Sequence, residues 1–260
     1  MPTASLAAER DLLDLNFRLA TGAFIATSKL GEVLEAHDVY ITNTGAPVAD
    51  FNLVFPKRPS HEVGETLEKA ASYFAAKKLP YRVCVPAHDA GACRHCLAPQ
   101  GFVETKPVPG MVLSPIPEAP RLPDHLEVRR VADADTLADF QQTAFEGFGL
   151  PMAAAPLFLT AELMALSHVA LFVGYTQGEA AATAALIGTE GVAGIYWVAT
   201  LERFRGRGYG EALTWRAIAE GGERGYPLAS LQASEMGRPV YARMGFAHDC
   251  DYAQFDSPTR

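Results

Sequence analysis

The sequence predicts an α/β fold with a mixed sheet, in which the two halves of the chain resemble each other. Three observations predict it. The β-branched and aromatic run at 195–199 is followed by a glycine-rich loop and an apolar helix. Two apolar runs before it are joined by tight polar turns, which favours antiparallel strands. The N-terminal half repeats this order at a nearly constant offset.

The elements of the C-terminal half follow one another with short connections. They are a strand at 128–131, helices, a hairpin of strands at 169–175 and 180–187, the strand at 195–199, a helix at 211–220, a strand at 228–233 and a short helix at 236–244. We expect the helix at 211–220 to stop at Gly221-Gly222, because glycine is a poor helix former. The N-terminal half opens with a helical pattern at 6–24.

The segment 203–210, Arg-Phe-Arg-Gly-Arg-Gly-Tyr-Gly, carries most of the functional information. A glycine loop between a strand and a helix presents free backbone N–H groups and the positive end of the helix to a phosphate. The interleaved arginines add fixed positive charge. The spacing matches neither the P-loop nor the Gly-x-Gly-x-x-Gly of dinucleotide folds. The loop is therefore predicted to bind a phosphorylated ligand in a site of another class.

Two motifs carry a family resemblance. Arg205, Gly208 and Gly210 match Arg/Gln-x-x-Gly-x-Gly/Ala, and 241–246 is similar to Tyr-x-x-x-Gly-Phe. Over 126–255 the chain thus resembles the GNAT family of acyl-CoA-dependent N-acetyltransferases. The resemblance implies acetyl-CoA as co-substrate, with its pyrophosphate in the loop, and an amine acceptor. The implied cofactor-binding residues are Val198, Thr200, Arg203, Arg205, Gly206, Arg207, Gly208, Tyr209, Gly210 and Ser234.

The resemblance also implies catalytic roles. The backbone N–H of Val198, near a strand bulge, would polarise the thioester carbonyl. Tyr241 would be the general acid, since a phenol is protonated at neutral pH; the alternative is a packed aromatic ring before a Gly-Phe turn. Ser234 stands where the family often has asparagine, so its contribution to cofactor binding is in doubt.

The general base is the least defined group. Many relatives use a glutamate on the central strand, but 194–201 contains no acidic residue. Glu146 is the tentative base, and Glu190 and His168 are weaker candidates. A water chain, or an amine that arrives neutral, would need no base residue.

The sequence alone leaves two other functional interpretations open. A non-catalytic acyl-CoA-binding module would share the loop but need no proton donor. Cys93 and Cys96 have the spacing of a zinc or redox pair. Because no second pair accompanies them, we expect small core residues and no metal.

The repeat predicts two tandem copies of the fold. At an offset of 146 residues, 63–67 falls on 209–213, and at 144 residues, 94–102 falls on 238–246. The predicted units are a degenerate copy at 1–114, a proline-rich linker at 115–123 and the acyl-CoA-binding domain at 124–260. The first copy has lost the ligand chemistry, because Pro59, Ser60, Glu62 and Leu97 replace Arg205, Gly206, Gly208 and Tyr241.

Composition restricts the partners. A hydrophobic content of 49%, with 20% charged residues, is typical of a globular protein, and the net charge of −8 argues against nucleic acid. No apolar run reaches the roughly 20 residues needed to cross a membrane. Without a secretory signal or a disulfide framework, we expect a cytoplasmic monomer or homodimer that acts on a small-molecule or peptide amine.

Overall fold

The structure is a computed structural model that describes residues 3–57 and 63–258. The helices are α1 (Thr3–Ala26), α2 (Val63–Lys77), α3 (Ala90–Leu97), α4 (Ala134–Phe148), α5 (Ala161–Met164), α6 (Tyr209–Glu223) and α7 (Arg238–Arg243). The strands are β1 (Glu32–Glu35), β2 (Val39–Asn43), β3 (Asn52–Pro56), β4 (Arg82–Pro86), β5 (Val103–Glu104), β6 (Val108–Leu113), β7 (Glu127–Arg130), β8 (Val169–Thr176), β9 (Glu179–Thr189), β10 (Val192–Thr200), β11 (Leu228–Gln232) and β12 (Ala247–Asp256).

The strands form one mixed sheet in the order β1-β2-β3-β4-β12-β6-β11-β10-β9-β8-β7, with β5 beside β12. Each half supplies antiparallel strands followed by one parallel pair, β3–β4 in the first half and β10–β11 in the second. At the centre, β6 lies between β11 and β12, and β12 lies between β6 and β4. The two halves therefore exchange their last long strands. This mixed sheet confirms the predicted fold class.

The two halves keep the predicted spacing in their local structure. Helices α2 and α6 both have 15 residues and start 146 positions apart, and β4 and β11 show the same offset. At the offset of 144, the amide of Phe102 donates to the carbonyl of Leu97 at 3.3 Å, and that of Phe246 donates to Tyr241 at 3.0 Å. Leu97 is 1% exposed and packs in the core around α2 and α3. Its apolar side chain lies at the position that Tyr241 occupies in the second half.

Three of the replaced loop positions, Pro59, Ser60 and Glu62, lie outside the described residues. Their comparison with the glycine loop of the second half stays a prediction. The proline-rich segment at 115–123 connects β6 to β7, and Ile116 and Leu122 pack against the core beneath α6. The domain boundaries placed at this segment stay predictions as well.

Helices cover both faces of the sheet in the C-terminal half. Helix α6 packs on one face through the apolar side predicted for it, which includes Leu213 and Ile218. Helices α1 and α4 pack on the opposite face, where Phe24 of α1 and Phe145 of α4 share one core. Helix α1 confirms the predicted opening helix and brings the N-terminal half onto the second half. In the described ranges, 3–57 and 63–258, no helix has the length and apolar composition of a membrane span.

One predicted boundary is wrong. Helix α6 does not stop at Gly221-Gly222 but continues to Glu223, before Gly225 adopts φ +84°. A Cβ on Gly221 would lie 2.6 Å from the Cβ of Ala193 on β10. The glycine is therefore present because the helix approaches the sheet closely, and this packing outweighs its poor helix propensity.

Candidate active site

The sheet opens beside β10. Strand β10 pairs with β11 only over Val192–Gly194, whereas it follows β9 as far as Thr200. In the described part of the chain, the β11-facing edge of β10 is thus unpaired beyond Gly194. A free strand edge offers backbone N–H and C=O groups to an extended ligand.

A bulge interrupts β10 within this open segment. Tyr196 pairs with Ala185 and Ala199 pairs with Thr183, so Trp197 and Val198 lie in the bulge. Trp197 adopts φ +50°, and its carbonyl accepts a hydrogen bond from the Thr183 hydroxyl at 2.8 Å. The bulge predicted beside Val198 is therefore present. Bulges re-aim backbone and side chains next to functional sites.

The glycine loop leads directly into α6. Gly206 and Gly208 adopt φ +76° and +77°, a conformation that favours glycine, and a Cβ on either would meet open space. The amide of Ala212 makes a helical bond to Gly208 at 2.9 Å. The amides just before it, in the first turn of α6, have no intrahelical acceptor, as at any helix start. Together with the helix dipole, they form a site suited to an anion.

A cavity of about 520 Å³ lies between β10, the glycine loop and α7. It is lined by Gly147, Phe148, Val198, Ala199, Thr200, Phe204, Arg205, Gly206, Gly208, Tyr209, Gly210, Glu211, Ser234, Met236, Gly237, Val240, Tyr241 and Arg243. The structure thus brings most of the predicted site residues together. Arg203, Arg207 and Glu146 are not among the described lining residues.

The three arginines of the loop have different environments. Arg203 forms ion pairs with Glu146 at 3.1 Å and Glu179 at 3.6 Å, so its charge is already neutralised. Arg205 donates to the carbonyl of Thr200 at 3.3 Å, and the guanidinium of Arg207 lies over the ring of Phe204. Neither Arg205 nor Arg207 contacts a carboxylate in the described ranges. Their charges are therefore free for an anionic ligand.

Two predicted cofactor contacts are restricted by the structure. The side chain of Tyr209 is 2% exposed, and its hydroxyl donates to Thr176 at 3.2 Å inside the core. Only the backbone of Tyr209 can face a ligand. The Ser234 hydroxyl accepts a hydrogen bond from the amide of Gly237 at 3.1 Å, which orders the turn before α7. Ser234 lines the cavity, but this acceptor position is already occupied.

Tyr241 faces the cavity from α7 and is 9% exposed. Burial raises the pKa of Tyr241 to about 12, and a side-chain hydrogen bond with Thr214 acts in the opposite direction. The phenol therefore keeps its proton at neutral pH. The Thr214 hydroxyl also donates to the carbonyl of Gly210 at 2.8 Å, so Tyr241 is linked to the first turn of α6.

None of the three candidate bases is among the described residues that line the cavity. The carboxylate of Glu146, the tentative base, forms an ion pair with Arg203 at 3.1 Å. Glu190 lies in the turn before β10, eight residues from Val198. Because an extended strand rises about 3.3 Å per residue, the Cα atoms of Glu190 and Val198 are separated by up to roughly 25 Å. The carbonyl of His168 accepts from the amide of Gly188 at that same distant end.

The comparisons with known proteins agree with this geometry. Residues 135–246 match the sequence model of the acetyltransferase (GNAT) family. The segment contains the bulge, the glycine loop and Tyr241. The sequence matches none of the curated proteins with which it was compared.

Solved structures show a similar fold over most of the chain. A GCN5-related N-acetyltransferase from Kribbella flavida has a TM-score of 0.71 at 19% identity, covering 93% of this chain and 94% of its own. A GCN5-related N-acetyltransferase from Sphaerobacter thermophilus gives 0.65 at 16% identity, with 86% and 77% covered. A tandem GNAT protein from the clavulanic acid biosynthesis pathway gives 0.61 at 14% identity, with 95% and 88% covered.

Several lining residues were not found from the sequence. Phe148 and Met236 are half exposed or more and border the cavity from two separate elements. Isolated apolar residues at an element end carry no signal in one sequence, because exposed apolar residues are common. Asn16 of α1, a buried polar residue that contacts β10 from the N-terminal half, was also not found from the sequence.

Proposed function

We propose that this protein is an acetyl-CoA-dependent N-acetyltransferase that moves an acetyl group directly to the amine of a small molecule or peptide. One observation carries the proposal. A single cavity joins the bulge at Val198, the anion-binding start of α6 and a protonated phenol, Tyr241. These are the groups that bind a phosphorylated thioester, polarise its carbonyl and protonate its leaving group.

The fit to coenzyme A follows the direction of β10. The pyrophosphate would lie against the glycine loop and Arg205, and the pantetheine arm would pair with the free edge at Val198 and Thr200. The thioester carbonyl would then accept a hydrogen bond from the amide of Val198. Tyr241, on the opposite wall, would face the sulfur.

The reaction then needs only the groups in the cavity and a neutral amine. The amine nitrogen attacks the carbonyl carbon, a C–N bond forms, and the C–S bond breaks. Tyr241 gives its proton to the departing thiolate and regains one from the ammonium that the amine has become. The described lining residues include one carboxylate, Glu211, 3.9 Å from Arg243 and near the loop. The amine therefore arrives neutral or loses its proton through water.

The N-terminal half is, in this proposal, a degenerate copy of the same fold, with units at 1–114, 115–123 and 124–260. The equal spacing of α2 and β4 with α6 and β11 supports it, as does Leu97 in place of Tyr241. One acetyl-CoA would bind per chain. The enzyme would act in the cytoplasm as a monomer or homodimer.

The test combines binding and turnover. Calorimetry with acetyl-CoA should give one site per chain, and thiol release should rise when the correct amine is present. Amino acids, polyamines, aminoglycosides and peptides form the acceptor panel, with the acetylated product identified by mass spectrometry. One-site binding without release across the panel would favour a non-catalytic acyl-CoA-binding module. Absence of binding would refute the proposal.

A further inference from the structure

A buried asparagine connects the N-terminal half to the strand that carries the bulge. Asn16 of α1 is 0% exposed. Its amide group donates to the Thr189 hydroxyl at 2.7 Å and to the Ile187 carbonyl at 3.1 Å. Its carbonyl oxygen accepts from the Tyr196 hydroxyl at 2.7 Å. A buried amide needs such partners, because burial without them is costly.

The sheet is shaped to receive this side chain. A Cβ on Gly194 would overlap with Oδ1 of Asn16, so a glycine is required there. Gly194 and Tyr196 are two residues apart on β10 and thus face α1 together. The Ser230 hydroxyl of β11 lies 3.5 Å from the same oxygen. Asn16 therefore sits where β10 and β11 begin to separate.

Tyr196 is the last residue of β10 in regular register before the bulge. On the β9 side, the bulge is held by the bond between Thr183 and the Trp197 carbonyl. On the α1 side, it is held by the bond between Tyr196 and Asn16. Burial raises the pKa of Tyr196, so its hydroxyl remains a donor. Val198 follows these two attached residues directly, and its N–H belongs to the same peptide group as the Trp197 carbonyl, so the direction of this amide depends on the bulge.

We propose that Asn16 is a positioning residue that acts through Tyr196 to fix the bulge and aim the amide of Val198 at the acetyl carbonyl. The inference rests on the proposed function. It assigns the N-terminal half a part in the reaction centre of the other half, although none of the described residues of the N-terminal half lines the cavity. Misplacing such a donor by about 1 Å can lower turnover by roughly 100-fold.

The decisive variant is Tyr196→Phe, which removes only the hydroxyl. Asn16→Ala removes the acceptor from the other side. The matched control is Asn52→Ala, since Asn52 is also 0% exposed and donates to Ala46 and Pro80, both at 2.8 Å, within the N-terminal half. The control loses a buried amide of the same kind without touching β10.

The readout is the amide signal of Val198 in nitrogen–proton NMR spectra, recorded with saturating CoA and with saturating acetyl-CoA. The difference between the two ligands reports the bond to the acetyl carbonyl. We expect it in the wild type and in Asn52→Ala, and at less than half its size in Tyr196→Phe and Asn16→Ala. With an amine acceptor, kcat of Tyr196→Phe should fall at least about tenfold, and by no more than the roughly 1,000-fold upper cost of losing an oxyanion donor. The Kd for CoA should change less than twofold.

A Val198 difference of wild-type size in Tyr196→Phe would overturn the inference, even if the variant were less stable. Equal loss in Asn52→Ala would also overturn it, because general destabilisation would then explain the effect. If Asn16→Ala fails to fold, Tyr196→Phe decides alone. Failure of the wild type to bind acetyl-CoA would instead refute the proposed function.

Discussion

The glycine loop gives the sharpest test of ligand binding. Gly208 adopts φ +77°, and a side chain there would meet open space. Gly208→Glu therefore fits sterically but places a carboxylate beside the first turn of α6. At about 5 Å from a phosphate and an effective dielectric constant of about 20, the repulsion is roughly 3 kcal/mol. Since about 1.4 kcal/mol is tenfold, we expect the Kd for CoA to rise by roughly two orders of magnitude.

Two further variants separate charge from backbone strain. Gly225, at the opposite end of α6, has φ +84° and equally open space, so Gly225→Glu carries the same change away from the site. In both glutamate variants the free energy of unfolding should fall by about 1–2 kcal/mol, because a residue with a Cβ is strained in the left-handed backbone conformation of these two glycines. Gly208→Gln keeps the strain without the charge and should regain most of the affinity.

Calorimetry with CoA measures the Kd, and urea unfolding measures the stability of the same samples. Gly225→Glu should bind CoA within twofold of the wild type. Equal affinity of the two glutamate variants would refute the assignment of the phosphate site to this loop. Equal loss in Gly208→Gln and Gly208→Glu would refute the electrostatic argument and leave only backbone conformation.

Three other predictions follow from side chains in or near α6. Tyr241→Phe should lower kcat by about 10²–10⁴ with the CoA Kd nearly unchanged. Burial raises the pKa of this phenol from 10.0 to about 12. The free energy of unfolding of the wild type should therefore fall as pH rises from about 10 to 12, more steeply than that of the variant. Gly221→Ala should lower the free energy of unfolding by about 1–3 kcal/mol in thermal unfolding, because its Cβ would collide with β10. Gly222→Ala should be neutral or stabilising, since its Cβ would make ordinary contacts. Equal effects of the two variants would contradict the packing argument. In urea unfolding, Glu220→Gln should lower the free energy of unfolding by roughly 3 kcal/mol, because it removes the carboxylate that pairs with the surrounding arginines. The control Glu223→Gln changes an exposed residue and should lower it by under about 0.5 kcal/mol.

The sequence predicted the part of the site that is formed by one continuous segment of the chain. The strand, glycine loop and helix at 195–223 follow each other directly, so composition and spacing were enough to predict an anion site there. Tyr241 lies in a short motif of its own, and the structure places it in the same cavity. The bulge beside Val198 came from the family resemblance, because the sequence of β10 has no marker for it.

The remaining features depend on contacts between distant residues. The family resemblance implies that Tyr209 binds the cofactor, but its ring lies in the core, where its hydroxyl contacts Thr176. Glu146 is the tentative base from the sequence, and its ion pair with Arg203 at 3.1 Å has no marker in the sequence because the two residues are 57 positions apart. Asn16 and Tyr196 are 180 positions apart, and no pattern in one sequence relates them.

The exchange of β6 and β12 makes each half the partner that completes the other, as in a domain-swapped dimer joined into one chain. Split between β6 and β7, the polypeptide would give two fragments, each carrying a strand that the other lacks. Each fragment alone would expose long strand edges and tend to aggregate. Expressed together, the fragments should complement each other, which makes the chain suited to a split-protein reporter. The same dependence would keep the N-terminal half under selection, because its removal would leave the other half with an open sheet.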